Sequence, residues 1–291
     1  MKETSTPSPV QDLVALTKPS VTWLTIIMAA GGIWLAPGSL EAGVALWTLL
    51  GTALAVGSAN ALNMVLERHT DALMHRTRRR PLPDGRLSTG AALAFGLAIG
   101  LASMVLLGAL VNLLTAALGG FALLSYVLVY TPLKRRTPLA LLIGAVPGAM
   151  PPLMGWTAVT GAIDVPGLVL FAILLVWQLP HFLAIALYNK ADYARAGIQV
   201  VPVVRGDRVA TLQALAYATA LVPLTVLLVP LGVAGWLYGA VALALGLWFL
   251  VVGLGGLRPD AGVQWARRFF RASIIYLPAL MAALSLDVVL R

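Results

Sequence analysis

Long apolar stretches, separated by short polar connections, run through almost the whole chain. A helix needs about 20 mostly apolar residues to cross the hydrocarbon core of a bilayer. Nine stretches approach or meet that length, so the pattern predicts an all-α polytopic membrane protein with about nine transmembrane helices. The predicted spans are residues 21–36, 42–64, 91–110, 113–130, 138–159, 165–188, 209–230, 233–254 and 269–290.

Lysine and arginine are unevenly distributed among the connections between these spans. Nearly all of them lie before the first span or near the connections after the second, fourth, sixth and eighth spans. The other connections contain none, and Arg291 is the one exception. Because basic residues are retained on the cytoplasmic side, this distribution predicts a cytoplasmic N-terminus and an external C-terminus. The long charged connections, and with them any chemistry, are then expected on the cytoplasmic face.

Composition favours a single membrane domain covering residues 1–291. Hydrophobic residues make up 60% of the chain and charged residues 11%, whereas about a quarter of a soluble domain is charged. A net charge of +9 would suggest nucleic acid in a soluble protein. Here the basic connections account for it, so membrane lipid is expected as a partner and nucleic acid is not. The absence of cysteine excludes disulfides, thiolate metal sites and cysteine nucleophiles.

The first 19 residues are polar and are predicted to be a cytoplasmic segment, partly disordered around Thr6-Pro7-Ser8-Pro9. They lack the apolar core of a signal peptide and the arginine-rich amphipathic pattern of a transit peptide. A bacterial or archaeal plasma membrane is therefore the expected location.

A stripe of polar residues follows the second span. Asn60, Asn63, Glu67 and Asp71 are spaced three and four apart, which places them on one face of a helix. Carboxylate and amide oxygens suit a hard divalent cation, and Mg²⁺ is commonly held by one or two carboxylates together with substrate phosphate oxygens. We therefore interpret Asn63, Glu67 and Asp71 as metal ligands.

Four arginines follow the stripe, at positions 76, 78, 79 and 80. Guanidinium groups bind phosphate through paired hydrogen bonds, so acids followed by arginines indicate a site for a metal and a diphosphate. The alternative is a helix that leaves the bilayer, with solvated charges and arginines that fix topology. The spacing alone supports both interpretations equally. Asn60 and Asn63 are expected within or close to the hydrocarbon core, where polar residues are usually functional. This favours the interpretation as a site for a metal and a diphosphate.

The stripe resembles the first signature of the UbiA-type intramembrane prenyltransferases. The shared motif is N-x-x-x-E-x-x-x-D at Asn63, Glu67 and Asp71, followed by R-T-x-x-R-P-L beginning at Arg76. The longer string is most similar to the branch of that family that farnesylates heme. Many relatives have aspartate at the position of Glu67 and another acid at the position of His69. A carboxylate is retained at Glu67, and His69 lies off the stripe, so it is left out of the site.

Two further segments carry the resemblance. Residues 130–139 form a cationic turn after the fourth span, in which Lys134 is assigned to a diphosphate oxygen and Arg135 and Arg136 to topology. The fifth span contains several glycines and prolines between residues 144 and 156. They predict a kinked or interrupted helix, which serves either close packing or a cavity wall.

The sixth span ends differently from most of the superfamily, which has a second aspartate motif there. Phe182 and Asn189 stand near the positions of the early acids, and Asp192 remains. This departure argues against a quinone- or chlorophyll-prenylating relative and leaves a second metal site open. Lys190 and Asp192 are assigned to substrate binding. His181 is assigned to heme, since imidazole can ligate heme iron or accept a proton.

The resemblance implies a fold of spans around a central cavity and an Mg²⁺-dependent farnesyl transfer. The substrates implied are farnesyl diphosphate and protoheme IX, and contact with a partner enzyme of heme a synthesis is left open. Cleavage of the C1–O bond gives an allylic cation, the heme vinyl group attacks C1, and water captures the product cation. The implied site consists of Asn63, Glu67 and Asp71 for the metal, and Arg76, Arg80 and Lys134 for the diphosphate.

Two alternatives remain from the sequence. One is a related enzyme with an aromatic or quinone acceptor. The other is a transporter, which would be expected to carry polar residues near the bilayer midplane, whereas this chain concentrates them at one edge.

Overall fold

The computed structural model describes residues 8–39 and 41–291, and all regular structure in those ranges is helical. The α-helices are α1 (Pro9–Leu16), α2 (Pro19–Leu35), α3 (Ala42–Leu73), α4 (Thr89–Leu110), α5 (Leu113–Leu124), α6 (Thr131–Leu133), α7 (Ala140–Thr160), α8 (Val165–Tyr188), α9 (Lys190–Arg195), α10 (Val201–Val204), α11 (Asp207–Val226), α12 (Trp236–Leu254) and α13 (Gly262–Leu290). A π-helical turn, Ser125–Tyr130, joins α5 to α6, and a 3-10 turn, Gly255–Leu257, follows α12.

Among the residues that the structure describes, eight helical segments are long and apolar enough to cross a bilayer. A ninth is obtained when α1 and α2, which meet at a bend of 48°, are counted as one broken span. The α5 segment reaches span length because it continues through the π turn to Leu133. Large apolar side chains on the outer surface, among them Leu101, Val105 and Val251, are more than half exposed, as expected where lipid is the solvent. The predicted all-helical membrane protein with about nine spans is confirmed.

The spans pack as two groups. The first consists of α2, α3, α4, α5 and α7, and the second of α8, α11, α12 and α13. The groups meet where α7 packs along α8, and where α13 approaches α2. The C-terminal ends of α3, α6 and α8 carry connections 74–88, 134–139 and 189–206. We call the end of the bundle formed by these connections the basic end.

The second span extends further than the sequence predicted. Its apolar pattern ends near residue 64, but α3 continues to Leu73 and includes the polar stripe. The helix continues through these residues because their polar side chains face the protein interior and have partners there. The last turn is closed by Thr77, whose hydroxyl donates to the carbonyl of Asp71 at 2.8 Å.

The fifth span is an uninterrupted helix, α7, with three prolines inside it. Of the two predicted forms, kinked or interrupted, the interruption is excluded and the kink stays a prediction. The small residues of α7 allow unusually close contact with α2. A Cβ atom on Gly155 would lie 2.0 Å from the carbonyl oxygen of Ala29, and one on Gly32 would lie 2.0 Å from the carbonyl oxygen of Pro152. At these positions glycine therefore serves helix packing, as small residues commonly do between transmembrane helices.

The segment predicted to be disordered around residues 6–9 is helical from Pro9 onward, while Thr6 and Pro7 lie outside the described residues. Ser8 forms a capping box with Gln11: the Ser8 hydroxyl accepts from the Gln11 amide and the Gln11 side chain accepts from the Ser8 amide. Two orphan amides are thereby satisfied, and proline at the first helical position is preorganised for a helix.

Candidate functional site

The polar stripe of α3 faces the interior of the bundle. Asn60, Asn63, Glu67 and Asp71 are all buried, with at most 6% of each residue exposed. Burying an amide or a charged carboxylate is costly unless a partner satisfies it. The partners of these four side chains therefore define the site.

Each carboxylate of the stripe is paired with a cation that comes from a different connection. Arg80 donates from Nη1 to Oδ2 of Asp71 at 2.8 Å, and Lys134 Nζ forms an ion pair with Oε1 of Glu67. That Glu67 oxygen is buried and, within the described ranges, has no hydrogen bond of ordinary geometry. The structure thus brings together two of the three cations that the sequence assigned to the diphosphate.

A third cation reaches the stripe from the N-terminal part of the chain. Lys18 donates from Nζ to Oδ1 of Asn63 at 3.4 Å, and the Asn63 amide donates to Thr131 Oγ1 at 3.0 Å. Next to it, the Asn60 amide donates to the carbonyl of Thr17 at 3.2 Å. Sequence reasoning counted Lys18 only among the basic residues that fix topology. Its position immediately before Pro19, at the start of the first span, was the available signal.

The backbone of Lys18 is itself unusual. Its φ of 49° lies in the left-handed region, and it is the one residue other than glycine with positive φ in ranges 8–39 and 41–291. Such a conformation costs about 1–3 kcal/mol and persists where the surroundings enforce it, often at functional sites. Here it turns the chain from α1 into α2 and presents the ammonium group to the stripe.

Arg76 lies at the exposed rim of the basic end, beyond the carboxylates. It forms no salt bridge with any described residue.

Burial raises the pKa of the Tyr193 phenol above its usual value, and the positive charge of Arg76 partly opposes that rise. The connection that carries Tyr193 is tied to the α6 turn, because the Gln199 amide donates to the carbonyl of Lys134 at 3.0 Å.

The other predicted substrate ligands lie outside this cluster. Lys190 donates to Asp207 at 2.7 Å, and Asp192 forms an ion pair with Arg195. Neither contacts the α3 carboxylates in the part of the chain that the structure describes. Their assignment to substrate stays a prediction.

His181 lies on α8 and faces α13. Its Nδ1 is hydrogen-bonded to Ser273 Oγ at 2.8 Å. The ring stacks on Trp177, with centroids 4.9 Å apart and an interplanar angle of 25°, and it lies 4.8 Å from the ring of Phe270. The histidine is thus fixed in an aromatic cluster on the second group of spans, and its role towards heme stays a prediction.

The oxygen donors of the stripe suit a single hard cation that is completed by substrate. The described residues contain no group of three or more histidine, cysteine, aspartate or glutamate side chains placed to hold a metal. Two carboxylates and one amide do share one buried face of α3, at Asn63, Glu67 and Asp71. Mg²⁺ typically takes one or two carboxylates plus phosphate oxygens and water. The residues present fit that arrangement.

The family model that matches the chain is that of the UbiA prenyltransferase family, over residues 24–275. The protoheme IX farnesyltransferase of Myxococcus xanthus is 53% identical over 283 residues, which cover 97% of this chain and 96% of that protein. A solved structure concerning a digeranylgeranylglyceryl phosphate synthase has a TM-score of 0.81 at 16% identity, covering 97% of this chain and 99% of the other.

A UbiA homologue from Archaeoglobus fulgidus, solved with GPP and Mg²⁺, has a TM-score of 0.70 at 16% identity and covers 94% of this chain and 99% of its own. At these identities the solved structures establish the fold. The family match and the Myxococcus relative extend over most of the sequence. The chain therefore belongs to the UbiA prenyltransferase family.

Proposed function

We propose that this protein transfers a farnesyl group from farnesyl diphosphate to a vinyl group of protoheme IX, forming heme o and releasing diphosphate. The choice of substrates rests on the protoheme IX farnesyltransferase of Myxococcus xanthus, which is similar to this protein over nearly the full length of both chains. The observation that supports the chemistry is a buried cluster of oxygen donors and cations at the basic end. Its members are Lys18, Asn63, Glu67, Asp71, Arg80 and Lys134.

The cations of the cluster can change their hydrogen-bond partners from the α3 side chains to the diphosphate when substrate binds. Three cations, Lys18, Arg80 and Lys134, now face two carboxylates and one amide. Asn63, Glu67 and Asp71 would hold a magnesium ion, whose charge would stabilise the departing diphosphate. Lys18, Arg80 and Lys134 are placed to bind diphosphate oxygens, and Arg76 lies at the rim to assist. Positioned charges of this kind often contribute the largest part of catalysis.

The interior of the bundle suits the isoprenoid tail. An apolar pocket lies between α2, α7, α8 and α13, and Met28, Pro152 and Leu174 are among its lining residues. These residues lie in the half of the bundle away from the basic end, so the pocket can receive the far part of the tail. At the basic end, the C1–O electron pair leaves with the diphosphate, which gives the allylic cation. The vinyl π electrons then form the new bond to C1. Water adds to the resulting cation and loses a proton, which leaves a hydroxyethylfarnesyl group.

The membrane and the orientation are part of the same proposal. The basic end faces the cytoplasm, in the plasma membrane of a bacterium or archaeon, because lysine and arginine concentrate in the connections there. Farnesyl diphosphate, a water-soluble anion with an apolar tail, then reaches the cation cluster from the cytoplasm. A cysteine introduced in connection 74–88 should react with a membrane-impermeant thiol reagent only after the cells are opened.

The decisive experiment compares acceptors. Purified protein in lipid is incubated with Mg²⁺ and labelled farnesyl diphosphate, together with either heme or 4-hydroxybenzoate. Label in a more hydrophobic heme, with none on the benzoate, is the expected result. Transfer to the benzoate alone would assign the enzyme to an aromatic acceptor and overturn the proposal.

A further inference from the structure

An aromatic surface lies between α8 and α13 and begins at the basic end, the end that also carries the cation cluster. Trp177, His181 and Tyr188 are four and seven residues apart, so they lie on one face of α8. From α13, Phe270 contacts two of them, with its ring centroid 4.8 Å from His181 and 5.5 Å from Tyr188. The surface runs from the last residue of α8 at the basic end towards the membrane interior.

The surface is held in place by polar contacts that leave one histidine nitrogen open. Ser273 Oγ is hydrogen-bonded to His181 Nδ1 at 2.8 Å, and Trp177 Nε1 donates to the Ser273 carbonyl at 2.9 Å. Among the residues that the structure describes, His181 has a hydrogen-bond partner at Nδ1 and none at Nε2. Nε2 can therefore bind a ligand.

A cation flanks the aromatic surface where it reaches the basic end. Arg267 lies three residues before Phe270, hence one turn nearer that end on the same side of α13. Tyr188, the last residue of α8, lies at the same end and packs against Phe270. Arg267 is exposed, and it has no acidic partner among the residues that the structure describes.

We propose that this surface is the acceptor site, where His181, Tyr188 and Phe270 contact the macrocycle and Arg267 binds a propionate carboxylate. The buried ring of Trp177 supports His181 from behind. The inference rests on the proposed function, since it takes heme as the acceptor. A flat macrocycle with two carboxylates on one edge requires an aromatic wall with a guanidinium at its polar end, and guanidinium forks match carboxylates in geometry. Anchoring the propionates there directs the opposite, vinyl-bearing part of the ring into the apolar interior, towards the farnesyl group.

Binding of two porphyrins tests the assignment of Arg267. The purified protein is titrated with heme and with heme dimethyl ester, which lacks the carboxylate charges, and binding is followed by Soret absorbance. Arg267→Gln should weaken heme binding about tenfold, since a hydrogen bond to a charged group is worth about 1.5–3 kcal/mol. It should leave binding of the ester and of farnesyl diphosphate unchanged. Arg267→Lys should restore part of the heme affinity.

Arg268 provides a matched control. It is also exposed, but at about 100° per residue it lies on the opposite flank of α13 from Phe270. Arg268→Gln should bind both porphyrins as the unsubstituted protein does. Phe270→Leu should weaken heme and ester equally, because it removes ring contact and no charge.

The outcomes separate this inference from the proposed function. If the unsubstituted protein farnesylates heme but Arg267→Gln keeps full heme affinity, the acceptor site is wrong and the function stands. Equal losses for heme and ester in Arg267→Gln would also exclude carboxylate recognition. If the unsubstituted protein neither binds nor farnesylates heme, both proposals are overturned.

Discussion

Arg86 holds the buried carboxylate of Asp12 through both oxygens, with Nη2 3.1 Å from Oδ1 and Nε 3.1 Å from Oδ2. Asp12 lies on α1 and is only 3% exposed, whereas Arg86 belongs to connection 74–88. The hydrogen bonds that Arg86 donates to Asp12 raise the pKa of Arg86 above its ordinary value, so the guanidinium stays charged. It fixes α1 against the basic end, and with it Lys18, which follows α1 and reaches Asn63.

Breaking this pair should affect the site at a distance. Asp12→Asn leaves the guanidinium without its buried partner, so we expect a loss of about 1–3 kcal/mol in stability and a KM for farnesyl diphosphate raised several-fold, with a smaller change in kcat. Thermal unfolding in detergent and steady-state kinetics measure the two effects.

Asp84 supplies the control for that substitution, because it also pairs with Arg86 but lies at the surface. Asp84→Asn should change little, since exposed ion pairs contribute about 0–1 kcal/mol. The double variant Asp12→Asn/Arg86→Gln should be more stable than the sum of the single changes predicts. Additive effects would show that the two residues are not coupled.

The left-handed backbone of Lys18 allows its conformation to be separated from its charge. Lys18→Gly and Lys18→Ala both remove the ammonium group, so both should raise the KM for farnesyl diphosphate to a similar extent. Glycine tolerates positive φ without strain, so Lys18→Gly should unfold at a higher temperature than Lys18→Ala, by about 1 kcal/mol in stability. An identical KM in Lys18→Ala and the unsubstituted protein would remove Lys18 from the site.

The sequence predicted those parts of the fold that depend on local pattern. The span 165–188 coincides with α8, because an apolar run is bounded there by the N-cap Asp164 and by Asn189. The apolar pattern ended the second span at residue 64, whereas the spacing of the polar stripe predicted the longer helix that α3 forms. Pattern alone does not show which partners bury Glu67 and Asp71. Helix periodicity correctly put the polar stripe on one face of α3.

The contribution of Lys18 to the site could not be predicted in the same way. Its contact with Asn63 spans 45 positions of sequence and depends on the bend between α1 and α2. The left-handed backbone of Lys18 makes that bend, and the pair between Asp12 and Arg86 holds α1 in place. Neither has a periodic signature. Long-range pairing of polar side chains, rather than hydrophobic pattern, decides this part of the site.

The close crossing of α2 and α7 gives a prediction about stability. Gly155→Ala would place a methyl group 2.0 Å from the carbonyl oxygen of Ala29, so the helices must move apart at a cost of about 1–3 kcal/mol. Gly43→Ala is the control, since nothing lies within 4 Å of its added Cβ and alanine favours a helix. Thermal unfolding should show a loss for Gly155→Ala and no loss for Gly43→Ala. Equal unfolding temperatures would contradict the tight crossing.

The strongest test of the candidate site is Asp71→Asn. Asp71 is 1% exposed and receives hydrogen bonds from Arg80 on its side chain and from Thr77 on its carbonyl. Asparagine retains the shape and the hydrogen bond but removes the negative charge that a metal requires. We expect turnover to fall by at least about a hundredfold, as when a charge-stabilising group is removed from an active site. The protein should still fold, with its unfolding temperature lowered no more than that of Asp12→Asn, because Arg80 also loses a buried charged partner.

His69 offers a control on the same helix, because it is exposed and lies off the stripe. His69→Gln should retain normal turnover and a normal Mg²⁺ requirement, measured as the concentration that restores activity after chelation. In Asp71→Asn the residual activity should require more Mg²⁺, because one of the two carboxylate ligands has been lost. Full turnover in Asp71→Asn at the ordinary Mg²⁺ concentration would show that the α3 carboxylates do not hold the metal, and the charges that converge on them would then need a structural explanation.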